Sequence, residues 1–288
     1  MVGPSKTSSV TFGDADEQLG GMLGDRALRD RLLNIFLPAT AVVAVVALWA
    51  AAVSLFRIPE YLLPAPQDVV LRLLKDWDSL MRNGAYTLFA VLAGFLASVV
   101  IGLPLAFAIV VSRTMERVSM PFFVMSQTIP KVAIAPVLVV WLGFGILPKI
   151  AIVFSMCVFP IVVSTVVGLK SVESDMIDLV RSMGASTGRI MLRVRTPAAL
   201  PQIFAGFKIA ICLAVVGAVI GEFVGSDKGL GYLLLTATGS LDGTLIWAAL
   251  FVLIFGGVAL FAIVSKIERL VIPWHISIRA EETAIYQS

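Results

Sequence analysis

One pentapeptide in the 288-residue chain has the spacing of a nucleophile motif. Gly184-Ala-Ser-Thr-Gly188 matches G-x-S-x-G, in which a serine sits on a sharp turn after a strand and gives its proton to a histidine. The residues before it argue against a strand. Met176, Leu179, Val180 and Met183 recur every three or four positions, the period of a helix. The single histidine, His275, lies near the far end of the chain. Acyl transfer at Ser186 is therefore not expected. Cys157 and Cys212 occupy separate apolar runs and read as small packing residues, not as a disulfide or a metal pair. The sequence holds no Walker-type phosphate loop and no His/Cys cluster with zinc spacing. The expectation is a chain that catalyses no covalent step and has no catalytic residues, no cofactor and no metal of its own.

The informative ionisable groups are those inside apolar runs. Lys131 lies about ten residues into one of them, near mid-bilayer depth at ~1.5 Å per residue. An ammonium there costs at least ~2.5–3.5 kcal/mol unless paired or wetted. Pro130 before it frees backbone groups, which is tolerated where a helix faces protein or a water cavity. Lys131 can line the path of an anionic solute, snorkel along its own helix, or pair with an acid. Glu222, near the outer end of a later run, can be a gate contact, a partner for an outer cation, or an interfacial carboxylate in water. At helical rise the two differ in depth by ~15 Å, so they are not expected to pair. Around Glu222, Gly206, Ala210, Ala214, Gly217, Gly221 and Gly225 form a stripe of small residues. Such a stripe permits close helix approach, within one subunit or between two. It is also compatible with a lining helix on which Gly217 and Gly221 leave room for solute.

The elements that must position these residues are membrane spans. The chain is 59% hydrophobic and 14% charged, with a mean hydropathy of +0.97. Runs of this length belong to an integral membrane protein. The first thirty residues lack the basic segment and short apolar core of a signal peptide, so no cleavage is expected. Six spans are predicted, at about 32–56, 85–111, 121–142, 149–169, 203–224 and 244–272. The third is interrupted by Pro130, Lys131 and Pro136, and an amphipathic helix over 67–81 precedes the second. The domain reading is a cytoplasmic tail over 1–31, a membrane domain over 32–275 and a cytoplasmic tail over 276–288. With the N-terminus inside, 14 Lys and Arg fall on cytoplasmic segments against 6 on outer ones, which sets the orientation. The net charge of +3 follows from this topology and not from nucleic-acid binding.

Between spans four and five lies an element too long for a passive connector, Glu173 to Ile203, with Arg181, Arg189, Arg193 and Arg195 as its cations. Its first half predicts a short helix whose apolar ridge could enter a groove on a soluble partner. Gly184 allows a turn, and Pro197 and Pro201 suit the start of the next helix.

This element resembles the EAA loop of the permease subunits of bacterial ABC importers. The family pattern is Glu-Ala-Ala, three residues, Gly, nine residues, Ile, one residue, Leu-Pro. Asp178, Gly184, Val194 and Pro197 fall at the acid, Gly, aliphatic and Pro positions, while Leu179-Val180 replaces the alanines and Thr196 the leucine. Further motifs are similar to the nitrate, taurine and aliphatic-sulfonate branch. They are Gln127-Thr-Ile-Pro-Lys-Val-Ala-Ile-Ala-Pro136, Trp141-Leu-Gly-Phe-Gly145, Gly221-Glu-Phe223, Gly229-Leu-Gly-Tyr232, Glu268-Arg269 and Pro273-Trp274-His275. The resemblance implies an all-α, six-span, type I importer permease fold in a bacterial plasma membrane. It implies an ATPase contact through Asp178, Arg181, Met183, Gly184, Ala185, Ser186 and Pro197. It also implies ABC ATPase subunits that carry the ATP and Mg, a second copy of the permease, and an extracytoplasmic solute-binding protein. Lys131, Glu222, Gly217 and Gly221 are the candidate residues of the solute path. The cargo is expected to be a small organic or inorganic anion such as a sulfonate, taurine or nitrate. The alternative is a neutral or cationic solute such as a thiamine-precursor pyrimidine, and a more remote one is a secondary transporter.

Overall fold

The computed structural model describes residues 40–274. The predicted tails, the start of span one and His275 lie outside them. The described residues are helical, joined by short turns, as the apolar periodicity predicts. They fall into two compact units. One contributes α1 (Thr40–Phe56), an apolar helix whose residues are mostly exposed. The other spans 56–273 and carries the remaining helices.

Within that second unit, α6 (Ile146–Lys170) is the central element, flanked by α3 (Trp77–Val111) and α9 (Thr196–Gly225). Lipid chains are as apolar as leucine, so helices associate here by contact area and not by escape from water. Small residues supply that contact. A Cβ on Gly206 would lie 3.0 Å from the Pro160 carbonyl oxygen, and one on Gly217 would lie 3.1 Å from the Val153 Cα. The small-residue stripe therefore seats α9 on α6 of the same chain. The space expected beside Gly217 and Gly221 is filled by Val153, Met156 and Lys149. Below this contact, Phe95, Phe204 and Phe207 meet edge to face, with centroids 6.0 and 5.5 Å apart. Cys157 is buried in the same core, its thiol 3.2 Å from the Ala210 carbonyl oxygen, and both it and Cys212 are free thiols.

Among the described residues four helices are long and apolar enough to cross a membrane: α3, α6, the run Thr187–Gly225 containing α9, and α11 (Gly243–Val271). A fifth arises if α4 (Arg113–Thr128) and α5 (Lys131–Leu142) are one broken span. These two meet at 98°, a sharper interruption than the sequence predicts. Ile129 is extended, as the residue before a proline must be, and Pro130 supplies no N–H to close the helix. The predicted outer helix over 67–81 is also divided. α2 (Pro66–Lys75) ends at Asp76, and α3 takes the remainder, so the second span begins at Trp77 and not at Ala85. Arg72 fixes that corner, with Nε 2.7 Å from Asp76 and Nη2 2.7 Å from Asp242. Asp242 caps α11 by accepting from the Leu245 N–H. Burial alone would raise its carboxyl, but the Thr244 hydroxyl, the Leu245 N–H and the charges of Arg72 and Lys75 outweigh that and hold it below the usual carboxylate range.

The tight α6–α9 seam predicts a local intolerance. Gly217→Leu must push α9 off Val153, and overpacking of this kind costs about 1–3 kcal/mol. Val216→Leu, one residue away on an exposed face, is expected to leave stability unchanged. Thermal unfolding of the purified protein compares the two. An unshifted midpoint for Gly217→Leu would contradict the seam.

Candidate functional site

The stretch 173–203 folds as a short helix, a turn and a bent lead into α9. α7 (Ser174–Ser182) turns Ile177 inward, and it leaves Met176, Leu179 and Met183 54%, 62% and 78% exposed. The predicted apolar ridge is thus present and uncovered within this chain, although Val180 is half-buried and Ile177, outside the predicted set, is the residue that anchors the helix. Asp178 and Arg181 pair at 3.2 Å on the exposed flank, a contact worth little in water.

Gly184 stops the helix in a Schellman arrangement. Its φ is +81°, its N–H donates to the Arg181 carbonyl, and the Ala185 N–H donates to that of Val180. A side chain is disfavoured at such a backbone angle, which is why glycine occupies it. Ser186 then caps α8 (Thr187–Ile190), its hydroxyl accepting from the Arg189 N–H at 3.4 Å. It follows a helix and starts another, so the G-x-S-x-G match is a helix–turn–helix and not a nucleophile elbow. Residues 191–195 form a π-helical turn before Pro197 enters the first turn of α9. Proline cannot donate there, and the Thr196 hydroxyl supplies a bond to the Met191 carbonyl at 2.8 Å. Pro201, predicted to mark the boundary, lies inside α9.

At the other end of α9, Glu222 is buried at 1% exposure, not in water. Its carboxylate accepts from the Thr87 hydroxyl of α3 at 2.8 Å and from the Gly231 N–H at 2.7 Å. Gly231 belongs to α10 (Leu230–Gly239), a helix inside what the sequence reads as a loop. The neighbouring N–H groups are satisfied from α3 as well: Gly229 donates to Asn83 Oδ1 at 2.8 Å and Leu230 to Thr87 Oγ1 at 2.9 Å. Three helices thus meet on one carboxylate placed at a helix N-terminus, where an anion is favoured. Side chains on Gly229 and Gly231 would collide with Glu222. The Gly229-Leu-Gly231 pattern was the signal for this knot, and it carries meaning only once the acid is placed above it.

Beside the knot is a cavity of about 460 Å³ lined by Tyr86, Phe89, Gly145, Ile146, Lys149, Asp227 and Lys228. Lys149 is buried and donates to the Ser226 hydroxyl at 2.5 Å, and the Lys228 ammonium stands 5.2 Å from the centre of the Tyr86 ring. Sequence reasoning did not single out Tyr86 and Phe89, because two aromatics three residues apart in an apolar run carry no signal of a cavity. Lys131 is elsewhere, at the first position of α5 after the 98° break, where its ammonium donates to the Ser126 carbonyl at 2.6 Å. It satisfies a carbonyl freed by the break and does not meet Glu222. Gly217 and Gly221 face α6.

The knot makes a rank-order prediction. Glu222→Gln keeps an acceptor for Gly231 and an amide for Thr87, whereas Glu222→Leu leaves buried donors unpaired at about 1–3 kcal/mol. Thermal unfolding is expected to order them wild type, Gln, Leu, with Leu well below the other two. Equal losses for Gln and Leu would mean that charge, not hydrogen bonding, matters at this position.

Comparison with known proteins agrees with this geometry. The chain is similar to the formylaminopyrimidine transport permease protein ThiX of Halalkalibacterium halodurans, 35% identical over 79% of this chain and 91% of that one. It is similar to the taurine transport system permease protein TauC of Escherichia coli, 27% identical over 79% and 85%. A chain of an inward-facing structure of the MetNI methionine ABC transporter superposes with a TM-score of 0.60 over 68% of this chain and 98% of that one, a likeness of fold at 22% identity. Residues 98–274, which run from within α3 past the end of α11, match the family described as binding-protein-dependent transport system inner membrane component. The chain therefore belongs to that family, the non-catalytic permease subunits of ABC importers.

Proposed function

We propose that two copies of this chain form the solute path of an ATP-driven importer in a bacterial plasma membrane, with both termini in the cytoplasm. The observation that carries the reading is the exposed ridge of Met176, Leu179 and Met183, rigidly capped by Gly184. Three large apolar side chains on a short polar helix invite a groove on a soluble partner. In this family the partner is the ABC ATPase, which would bind the ATP and its Mg. The contact set on this chain would be Asp178, Arg181, Met183, Gly184, Ala185, Ser186 and Pro197. An extracytoplasmic binding protein would load solute from the side of Glu222 and the 460 Å³ cavity.

The cavity favours a small planar solute. Tyr86 and Phe89 supply aromatic walls, while Lys149 and Lys228 are each engaged by protein groups and stand near Glu222 and Asp227. The formylaminopyrimidine named for the relative from Halalkalibacterium halodurans fits such walls. A second reading, an anion such as taurine, a sulfonate or nitrate, is supported by the likeness to TauC and by Lys131, whose charge has no acid beside it among the described salt bridges.

Two experiments test these readings. Met176→Ser with Leu179→Ser removes apolar surface that this chain does not bury, so the permease is expected to insert normally yet lose co-purifying ATPase and transport-coupled hydrolysis by tenfold or more, ~1.4 kcal/mol or above. Retention of full coupled activity would sink the docking assignment. For the cargo, uptake of formylaminopyrimidine and of taurine is measured with the complex in nanodisc-derived vesicles, for wild type and Lys131→Met. The planar-solute reading expects pyrimidine uptake that Lys131→Met leaves intact. Taurine uptake slowed by that substitution would reverse the choice.

A further inference from the structure

A cleft of about 490 Å³ opens where α3 ends and α4 begins, lined by Arg113, Glu116, Arg117, Met120 and Pro121. Its charge is unbalanced. The Glu116 carboxylate is taken by Lys170, 2.5 Å away at the end of α6. Arg113 and Arg117, one turn apart and both exposed, have no ion-pair partner among the described residues. Two free guanidinium groups therefore face a cleft whose deeper wall, Met120 and Pro121, is apolar. Its depth in the bilayer is fixed by α3, a 35-residue apolar helix that ends at Val111, two residues before Arg113. That places the arginines at headgroup level and the apolar wall on the acyl side. α4 buries none of its own residues, and Met125, one turn beyond Pro121, is 67% exposed.

We propose that this cleft holds the headgroup of an anionic phospholipid. Guanidinium groups bind phosphate in a fork of parallel hydrogen bonds, and basic pockets beside cytoplasmic span ends suit such headgroups. The apolar wall would follow the first part of the acyl chain. An acidic protein surface matches the arginines but not the wall behind them, so a lipid is the better occupant. The inference needs only that the chain spans a membrane; it does not rest on the cargo or the ATPase contact.

The test uses the permease purified with its ATPase from mixed vesicles of phosphatidylcholine and phosphatidylglycerol, with retained lipid read by native mass spectrometry. Arg113→Gln with Arg117→Gln is expected to weaken phosphatidylglycerol retention about thirty-fold, from roughly fivefold per guanidinium, with phosphatidylcholine unchanged. Neither residue supports the fold, so the variant should assemble. Glu116→Gln frees the Lys170 ammonium and should strengthen retention, whereas Lys170→Gln leaves a bare carboxylate between the arginines and should weaken it. Unchanged phosphatidylglycerol retention in the double variant would overturn the proposal. So would an equal loss of both lipids, or a loss of bound ATPase with lipid retention intact, which would give the arginines to a protein surface.

Discussion

The backbone contact between α6 and α9 is the constraint from which the rest of the second unit follows. Within a bilayer a leucine gains nothing by leaving lipid for protein, so only close approach separates a native helix pair from a solvated one. Gly206, Gly217 and Gly221 let α9 ride against Pro160, Val153 and Lys149, and Gly94 brings α3 onto the same Val153 of α6. Once those three helices are seated, Thr87 of α3 and Glu222 of α9 stand within 2.8 Å, and the polar knot can form. The knot then fixes α10, whose first N–H groups have no other partners. Packing therefore comes first and polar specificity is built on it, since a buried carboxylate is tolerable only where its donors are already held in place.

The spans were legible because hydropathy needs no tertiary information. Predicted spans at 149–169, 203–224 and 244–272 lie within or nearly within the helices Ile146–Lys170, Thr196–Gly225 and Gly243–Val271. The helix and turn of 174–184 were legible for a related reason: a ridge at helical spacing and a glycine at its end are both local features. What failed depended on partners distant in sequence. The alternative of an interfacial acid in water fails for Glu222 because its donors come from Thr87, more than a hundred positions earlier, and from a helix inside what the sequence reads as a loop. At Lys131 the sequence shows the interruption but not its angle, because composition alone does not reveal a bend. The 98° corner comes from two adjacent local effects, an extended Ile129 and a missing proline donor, which together redirect the chain.

Small residues illustrate the limit more sharply. Spacing alone left the stripe on α9 open to three uses: packing within one subunit, packing between two, and room for a solute. The structure fills Gly206, Gly217 and Gly221 with α6, a helix that the sequence placed next in line but could not orient. The solute path must then be sought where aromatic and charged side chains border empty space, as Tyr86, Phe89 and Lys228 do.

The arrangement also bears on how a force at one face reaches the other. α8, the π-helical turn and α9 form a single run from Thr187 to Gly225 that passes the span test as one unit. At ~1.5 Å per residue such a run is about 58 Å long, enough to cross a bilayer from the end next to α7. Its lower end is anchored next to the rigid turn at Gly184, and its upper end carries Glu222. A displacement of α7 would reach this run through the short capped turn at 183–186, and from Thr187 onward through helical backbone. The π turn is where this run can yield, because its register is already one residue out of step with the helix on either side. Movement absorbed there would change the angle of α9 against α6, and movement passed through it would load the knot at Glu222. A single run of helix thus holds both a turn that can bend near α7 and a polar knot at its opposite end.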